Sequence, residues 1–134
     1  MTTGYSTTPL PKKLSLKPGL RALWDAMPAS VEAELADSGV IRLPHPQAPI
    51  DAAQIFVTDR ADMTAKITAL RPLLAPTGFL WVSWPKKASK VPTDITEDVI
   101  RAVILPATDL VDVKVCAVDA IWSGLKLMIR KSAR

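Results

Sequence analysis

One cysteine, one histidine and five glycines among 134 residues are low counts, and each shortage closes off a class of protein. With Cys116 and His45 as the only soft donors, neither an intrachain disulfide nor a structural zinc site can be assembled. Cys116 lies inside the strand-like run "VDVKVCAVD" and reads as a packed thiol rather than a nucleophile in an electropositive opening. His45 stands between two prolines in "LPHPQAP", a loop setting, so nothing is placed to activate Ser83 or Ser123 as in a serine hydrolase. No apolar run approaches the roughly 18 to 20 residues that cross a bilayer, and no apolar segment follows "MTTGYSTTPLPKK". The expectation is a soluble, cytoplasmic protein with no membrane partner.

What is present is enough apolar material, 49% of residues, to bury one core without staples. The whole chain, 1–134, is therefore expected to form one domain, with residues 1–8 as a loose N-terminus. Twelve prolines fall mostly at joints between periodic segments. Charge is segregated: Lys12, Lys13, Lys17 and Arg21 precede the first acid, Asp25, while Lys126, Arg130, Lys131 and Arg134 follow the last, Asp119. The ends carry +8 and the total is +4, so the middle is left at −4. Basic surfaces of this kind attract phosphates, acidic partners or nucleic acid, and also serve simply to keep a protein in solution.

Periodicity orders the elements. "PLPKKLSLKPG" forms a short helical turn. "LRALWDAM" is a short apolar strand, followed by a helix over "SVEAELAD" with Ser30 as its N-cap and Glu32 in its first turn, where a carboxylate suits the helix dipole. Gly39 closes it, "VIRL" is a second strand and "AAQIFVT" a third without polar alternation. Asp59 caps a helix from about Arg60, with Met63, Ile67, Leu70 and Leu74 on one face and Pro72 to shorten it. "FLWVSW" is the central strand, covered on both faces. Asp94 and Glu97 have the spacing of a capping box for "ITEDVIRAVIL", which Pro106 stops. The end alternates, with Val111, Val113 and Val115 against Asp112, Lys114 and Cys116, then Leu125, Leu127 and Ile129 against Lys126, Met128 and Arg130, as in an antiparallel hairpin. The fold class is α/β: a small three-layer Rossmann-like sheet of about six strands, order 2-1-3-4-6-5, mainly parallel, with an antiparallel C-terminal hairpin.

The stretches "LKPGLRALWDA" and "LRPLLAPTGFLWVS", with the closing hairpin, resemble a class I methyltransferase domain reduced in size. "TPLPKKL", "LWVSWPKKASK", "TDITEDVIRA" and "VDVKVCAVDAIWSGLKLMIRK" resemble a bacterial family known only as a domain of unknown function. The first resemblance implies an S-adenosylmethionine site, but the chain departs from it. The turn after the first strand is "DAMPAS", and no glycine occurs from Leu20 to Ser38, where the cofactor needs a bare backbone to approach. The second strand ends "IRLPHPQ", without the acid that takes the ribose hydroxyls. Between the second and third strands the full fold has a helix, a strand and a helix. Here about nine extended residues at roughly 3.3 Å each reach about 30 Å, enough only to return and step across.

Ligands of open α/β sheets bind beyond the carboxyl ends of the strands, which draws attention to Asp25, Asp59 and the loop "WPKKASK". Lys86, Lys87 and Lys90 supply charge for a phosphate or carboxylate, with Asp94 expected to oppose it, and Trp84 and Trp122 are candidates for a pocket wall or stacking platform. The plainer alternative is a solvated loop, two core-capping tryptophans and an Asp59 that only caps its helix. The favoured reading is a non-catalytic domain that recognises an acidic partner protein or small anionic ligand through loop 84–90, with no cofactor. The alternatives are an enzyme binding S-adenosylmethionine or a nucleotide through Asp25, Asp59 and Trp84, and a nucleic-acid binder that uses its basic termini.

Overall fold

A computed structural model describes residues 8–134; the expected loose N-terminus, 1–8, lies almost wholly outside them. The elements are α1 Leu10–Lys13, β1 Arg21–Asp25, α2 Ala29–Glu34, β2 Ile41–Arg42, β3 Ile50–Phe56, α3 Arg60–Leu70, β4 Leu74–Pro85, α4 Glu97–Ile104, β5 Leu110–Ala117 and β6 Trp122–Ile129. They form one six-stranded sheet of order β2-β1-β3-β4-β6-β5. The first four strands in that order are parallel to one another, and β6 runs antiparallel to both β4 and β5. Order and directions are those the strand patterns call for.

Alternation along β3, β4 and β6 feeds two cores. On one face Ile55, Leu80, Val82, Trp84, Leu125 and Leu127 pack against Met63 and Ile67 of α3 and Ile100 and Ile104 of α4. On the other, Phe56, Phe79 and Trp81 pack against Leu10 and Leu14 from the α1 segment and Val31 and Leu35 from the α2 segment. Trp81, wholly buried, donates its indole N–H to the Leu14 carbonyl at 2.9 Å, which fixes the N-terminal segment to the middle of the sheet. The short return from β2 to β3 is held by Arg21, whose Nε donates to the Pro49 carbonyl at 2.8 Å and whose backbone N–H donates to Asp51 at 3.0 Å. Gly78 sits where the β3–β4 register shifts, and a Cβ there would lie 2.7 Å from the Ile50 carbonyl oxygen, so only glycine fits.

Local expectations fail in three places. Ser30 does not cap α2: Pro28 occupies the N-cap without a side-chain bond, and Ser30 lies inside the helix. Asp94 and Glu97 do not form a capping box; Thr96 is the cap of α4, its Oγ1 accepting from Val99 N at 3.1 Å. The valines of β5 do not share a face, because the β5–β6 register shifts between Asp112 and Lys114. Val111 pairs with Met128 on one face and Val115 with Leu125 on the other, and a bulge at an edge strand of this kind discourages further pairing. No helix among the described residues is long and apolar enough to cross a membrane.

Candidate functional site

The lysine loop is an ordered turn. Residues Lys87–Ser89 form a single 3-10 turn, with Lys90 following in the left-handed region at φ 61°. Ser89 Oγ donates to the Lys86 carbonyl at 2.6 Å and accepts from Val91 N at 3.2 Å, while Lys86 N donates to Ile121 O at 2.7 Å and ties the loop to the β5–β6 turn. Beside it lies an open groove of about 660 Å³ whose floor includes Trp84, Pro85 and Ile95 and whose rim carries Lys86, Lys87 and Lys90, with Thr93, Thr96, Glu97 and Ser123 completing the wall.

Two carboxylates stand near these lysines in sequence, and both are committed elsewhere. Asp94 is not part of the groove wall: its Oδ1 accepts from Arg60 N at 2.8 Å, at the start of α3. Glu97 forms an ion pair with Arg101, which also bonds Asp112 at 2.8 Å. Asp94 keeps its charge but is turned to the start of α3, and the groove lining itself, with three lysines and one glutamate, is net positive. Thr58 O accepts from Thr93 Oγ1 at 2.6 Å, so the far wall is anchored to the end of β3.

Of the remaining candidates only Trp84 joins this groove. Asp59 caps α3, accepting from Asp62 N at 2.8 Å. Asp25 is bound by Lys66 at 2.7 Å, and Lys66 also reaches Asp62 at 3.3 Å. Trp84 and Trp122 cannot form one wall. Trp84 pairs with Ser123 and Trp122 with Pro85 in adjacent register positions, so the two indoles point to opposite faces. Trp84 belongs to the α3/α4 core and is 7% exposed, too little for a stacking platform, though it lines the groove. Trp122 packs edge-on to Phe56, centroids 5.1 Å apart, against the other core. Cys116 is partly buried, and burial pushes its thiol pKa up despite Lys13 and Lys114 nearby, as suits an inert thiol. Among the described residues no cluster of three or more potential metal ligands occurs.

In the crevice beyond β1 and β3, where the connections reverse, the turn after β1 and the end of β2 both carry side chains. Ala26 holds the left-handed backbone, φ 57°, that a glycine would hold without a Cβ. In place of a ribose-gripping acid, β2 ends in Arg42, bridged to Glu32 at 2.8 Å and stacked 5.1 Å over the Trp24 ring. The cleft between these side chains is about 170 Å³.

No protein-family model matches the chain, and no curated protein does; the resemblance to an uncharacterised bacterial family gains nothing from either. Solved structures do match. A protein from Sulfolobus solfataricus described as a type 11 methyltransferase aligns over 90% of this chain and 89% of its own, with 16% identity and a TM-score of 0.55. YjhP from E. coli aligns over 90% of both chains, with 12% identity and a TM-score of 0.57. LepI, solved in complex with SAM, has 14% identity and a TM-score of 0.55; the match covers 90% of this chain and 39% of that one. At such identities the likeness is one of fold alone, and the fold of this chain is Rossmann-like and methyltransferase-like.

Proposed function

We propose that the chain is a methyltransferase-like domain whose ligand site is the groove at the carboxyl end of β4, where it binds an anionic group. Lys86, Lys87 and Lys90 receive a carboxylate or phosphate, and the apolar floor of Trp84, Pro85 and Ile95 takes the less polar part of the same small molecule or acidic partner protein. The observation that carries this reading is the juxtaposition of three lysines, Lys86, Lys87 and Lys90, with the apolar side chains of Trp84, Pro85 and Ile95 along one groove whose lining holds a single carboxylate, Glu97, itself paired with Arg101. The test is a thermal-shift panel of phosphorylated metabolites and acidic peptides on the parent and on a Lys86→Glu, Lys87→Glu, Lys90→Glu variant. A ligand at 100 times its Kd adds about 2.7 kcal/mol, a shift of several degrees for a domain of this size. A hit that persists in the variant would place the ligand elsewhere.

A second reading, an enzyme holding S-adenosylmethionine beyond β1, is favoured by one observation: a solved neighbour of the same fold is a complex with SAM. Against it stand Ala26 in the turn and Arg42 at the end of β2. Calorimetry with S-adenosylmethionine and S-adenosylhomocysteine decides it, and saturable heat at submillimolar concentration would favour this reading over the groove.

A further inference from the structure

The fold gathers four lysines from separate parts of the chain on the sheet face that carries α1. Lys114 of edge strand β5 and Lys126 of β6 occupy directly opposed positions, a like-charge pair that destabilises a ladder by itself. Lys126 is half-buried, with Nζ 4.6 Å from the Phe79 ring centroid and donating to Ser15 Oγ at 3.0 Å; Lys114 Nζ is 5.9 Å from the Trp81 centroid. Lys17 follows Ser15, the acceptor of the Lys126 bond, by two residues, and burial, then the charges of Lys114 and Lys17, hold the Lys126 pKa below its ordinary value. Lys13 lies beside Cys116, its Nζ donating to the Ala117 carbonyl at 2.8 Å. Among the described residues none of the four forms an ion pair, and the N-terminal stretch "MTTGYST" contains no acid.

We propose that Lys13, Lys17, Lys114 and Lys126 form a seat for the phosphates of a nucleic-acid backbone. Only part of the charge carried by the two termini takes part. Arg21 is turned to the Pro49 carbonyl at the β2–β3 return, and Arg134 to Ile129 O at the end of β6. The lysines come from α1, the segment after it and both strands of the closing hairpin, so the positive charge is spread over one sheet face, which suits a repeating charge better than one compact anion. Lys126 is recessed between Ser15 and Phe79, where the ridge of a sugar-phosphate chain can reach it and a flat membrane surface cannot. The rings beneath, Phe79 and Trp81, are buried and offer no base a stacking surface, so the contact reads phosphate and not sequence.

The test is fluorescence anisotropy with labelled duplex DNA and single-stranded RNA of random sequence, between 50 and 200 mM salt. About four phosphate contacts on a duplex give a log–log salt slope near −3.6, a loss of roughly a hundredfold in affinity over that range. Lys114→Gln with Lys126→Gln should halve the slope and reduce the loss to roughly tenfold, while Lys86→Gln with Lys87→Gln and Lys90→Gln leaves it unchanged. A Lys17→Gln, Lys114→Gln variant, which spares the half-buried lysine, must show the same halving. The proposal is overturned if no binding occurs at 50 mM salt, if the groove variant and not the sheet variants loses it, or if the chain binds phosphatidylserine vesicles and neither nucleic acid.

Discussion

Lys66 Nζ lies 2.7 Å from Asp25 Oδ1, so the acid at the end of β1 is held by α3. Burial lowers the Lys66 pKa, but the hydrogen bonds and charges of Asp25 and Asp62 outweigh it and keep it above the ordinary 10.5. A folded pKa above the unfolded one means stability that is fully present below pH 10.5 and lost as pH rises through the folded value. Lys66→Met is expected to cost about 1 kcal/mol at neutral pH and less in alkali. Urea unfolding at neutral and strongly alkaline pH checks this, and a difference that does not shrink in alkali would contradict it.

The two tryptophans that the sequence groups together should behave differently. Trp84 is buried in the α3/α4 core, and Trp84→Ala should cost about 3–5 kcal/mol. Trp122 is partly exposed, so Trp122→Ala removes one aromatic edge contact, worth about 0.5–1.5 kcal/mol beyond its area, and a smaller share of packing. Equal losses in denaturant melts would overturn the placement on opposite faces.

Gln54 is wholly buried on β3, in register with Trp81, and neither atom of its amide group has a partner among the described residues. Unpaired buried polar groups cost about 1–3 kcal/mol, so Gln54→Met, of similar volume, is expected to raise the melting temperature. A lower melting temperature would mean that the amide is satisfied in solution.

Lys126→Met removes a charge whose folded pKa is depressed. The penalty of the charged form is complete below the folded pKa and is relieved as pH rises from there to 10.5. The variant should match or exceed the parent by roughly 0.2–1 kcal/mol at neutral pH, with the gain fading in alkali. A gain that grows with pH would contradict the sign.

The sheet order was legible because each strand's pattern reports how it is covered: "FLWVSW" is apolar but for the small Ser83 and is central, whereas the closing runs alternate and lie at the antiparallel end. The lysine loop was legible for a related reason, since it follows the central strand at its carboxyl end. What the sequence concealed depends on register and on distant partners. The spacing of Asp94 and Glu97 satisfies a local cap, yet Asp94 is claimed by the backbone of Arg60, far away in the chain, and Thr96 takes its place. A single bulge after Asp112 undoes the valine alternation and brings Lys114 opposite Lys126. Only strand register reveals that Trp84 and Trp122 point apart.

The most direct test of the central claim is an amide NMR titration of the labelled chain with pyrophosphate and, separately, with S-adenosylhomocysteine. The expected result is that pyrophosphate shifts the amides of Lys86, Lys87, Lys90 and Thr96, and that S-adenosylhomocysteine leaves those of Asp25, Ala26 and Met27 unmoved. Saturable shifts at Asp25, Ala26 and Met27 with S-adenosylhomocysteine, and a silent loop with pyrophosphate, would contradict it.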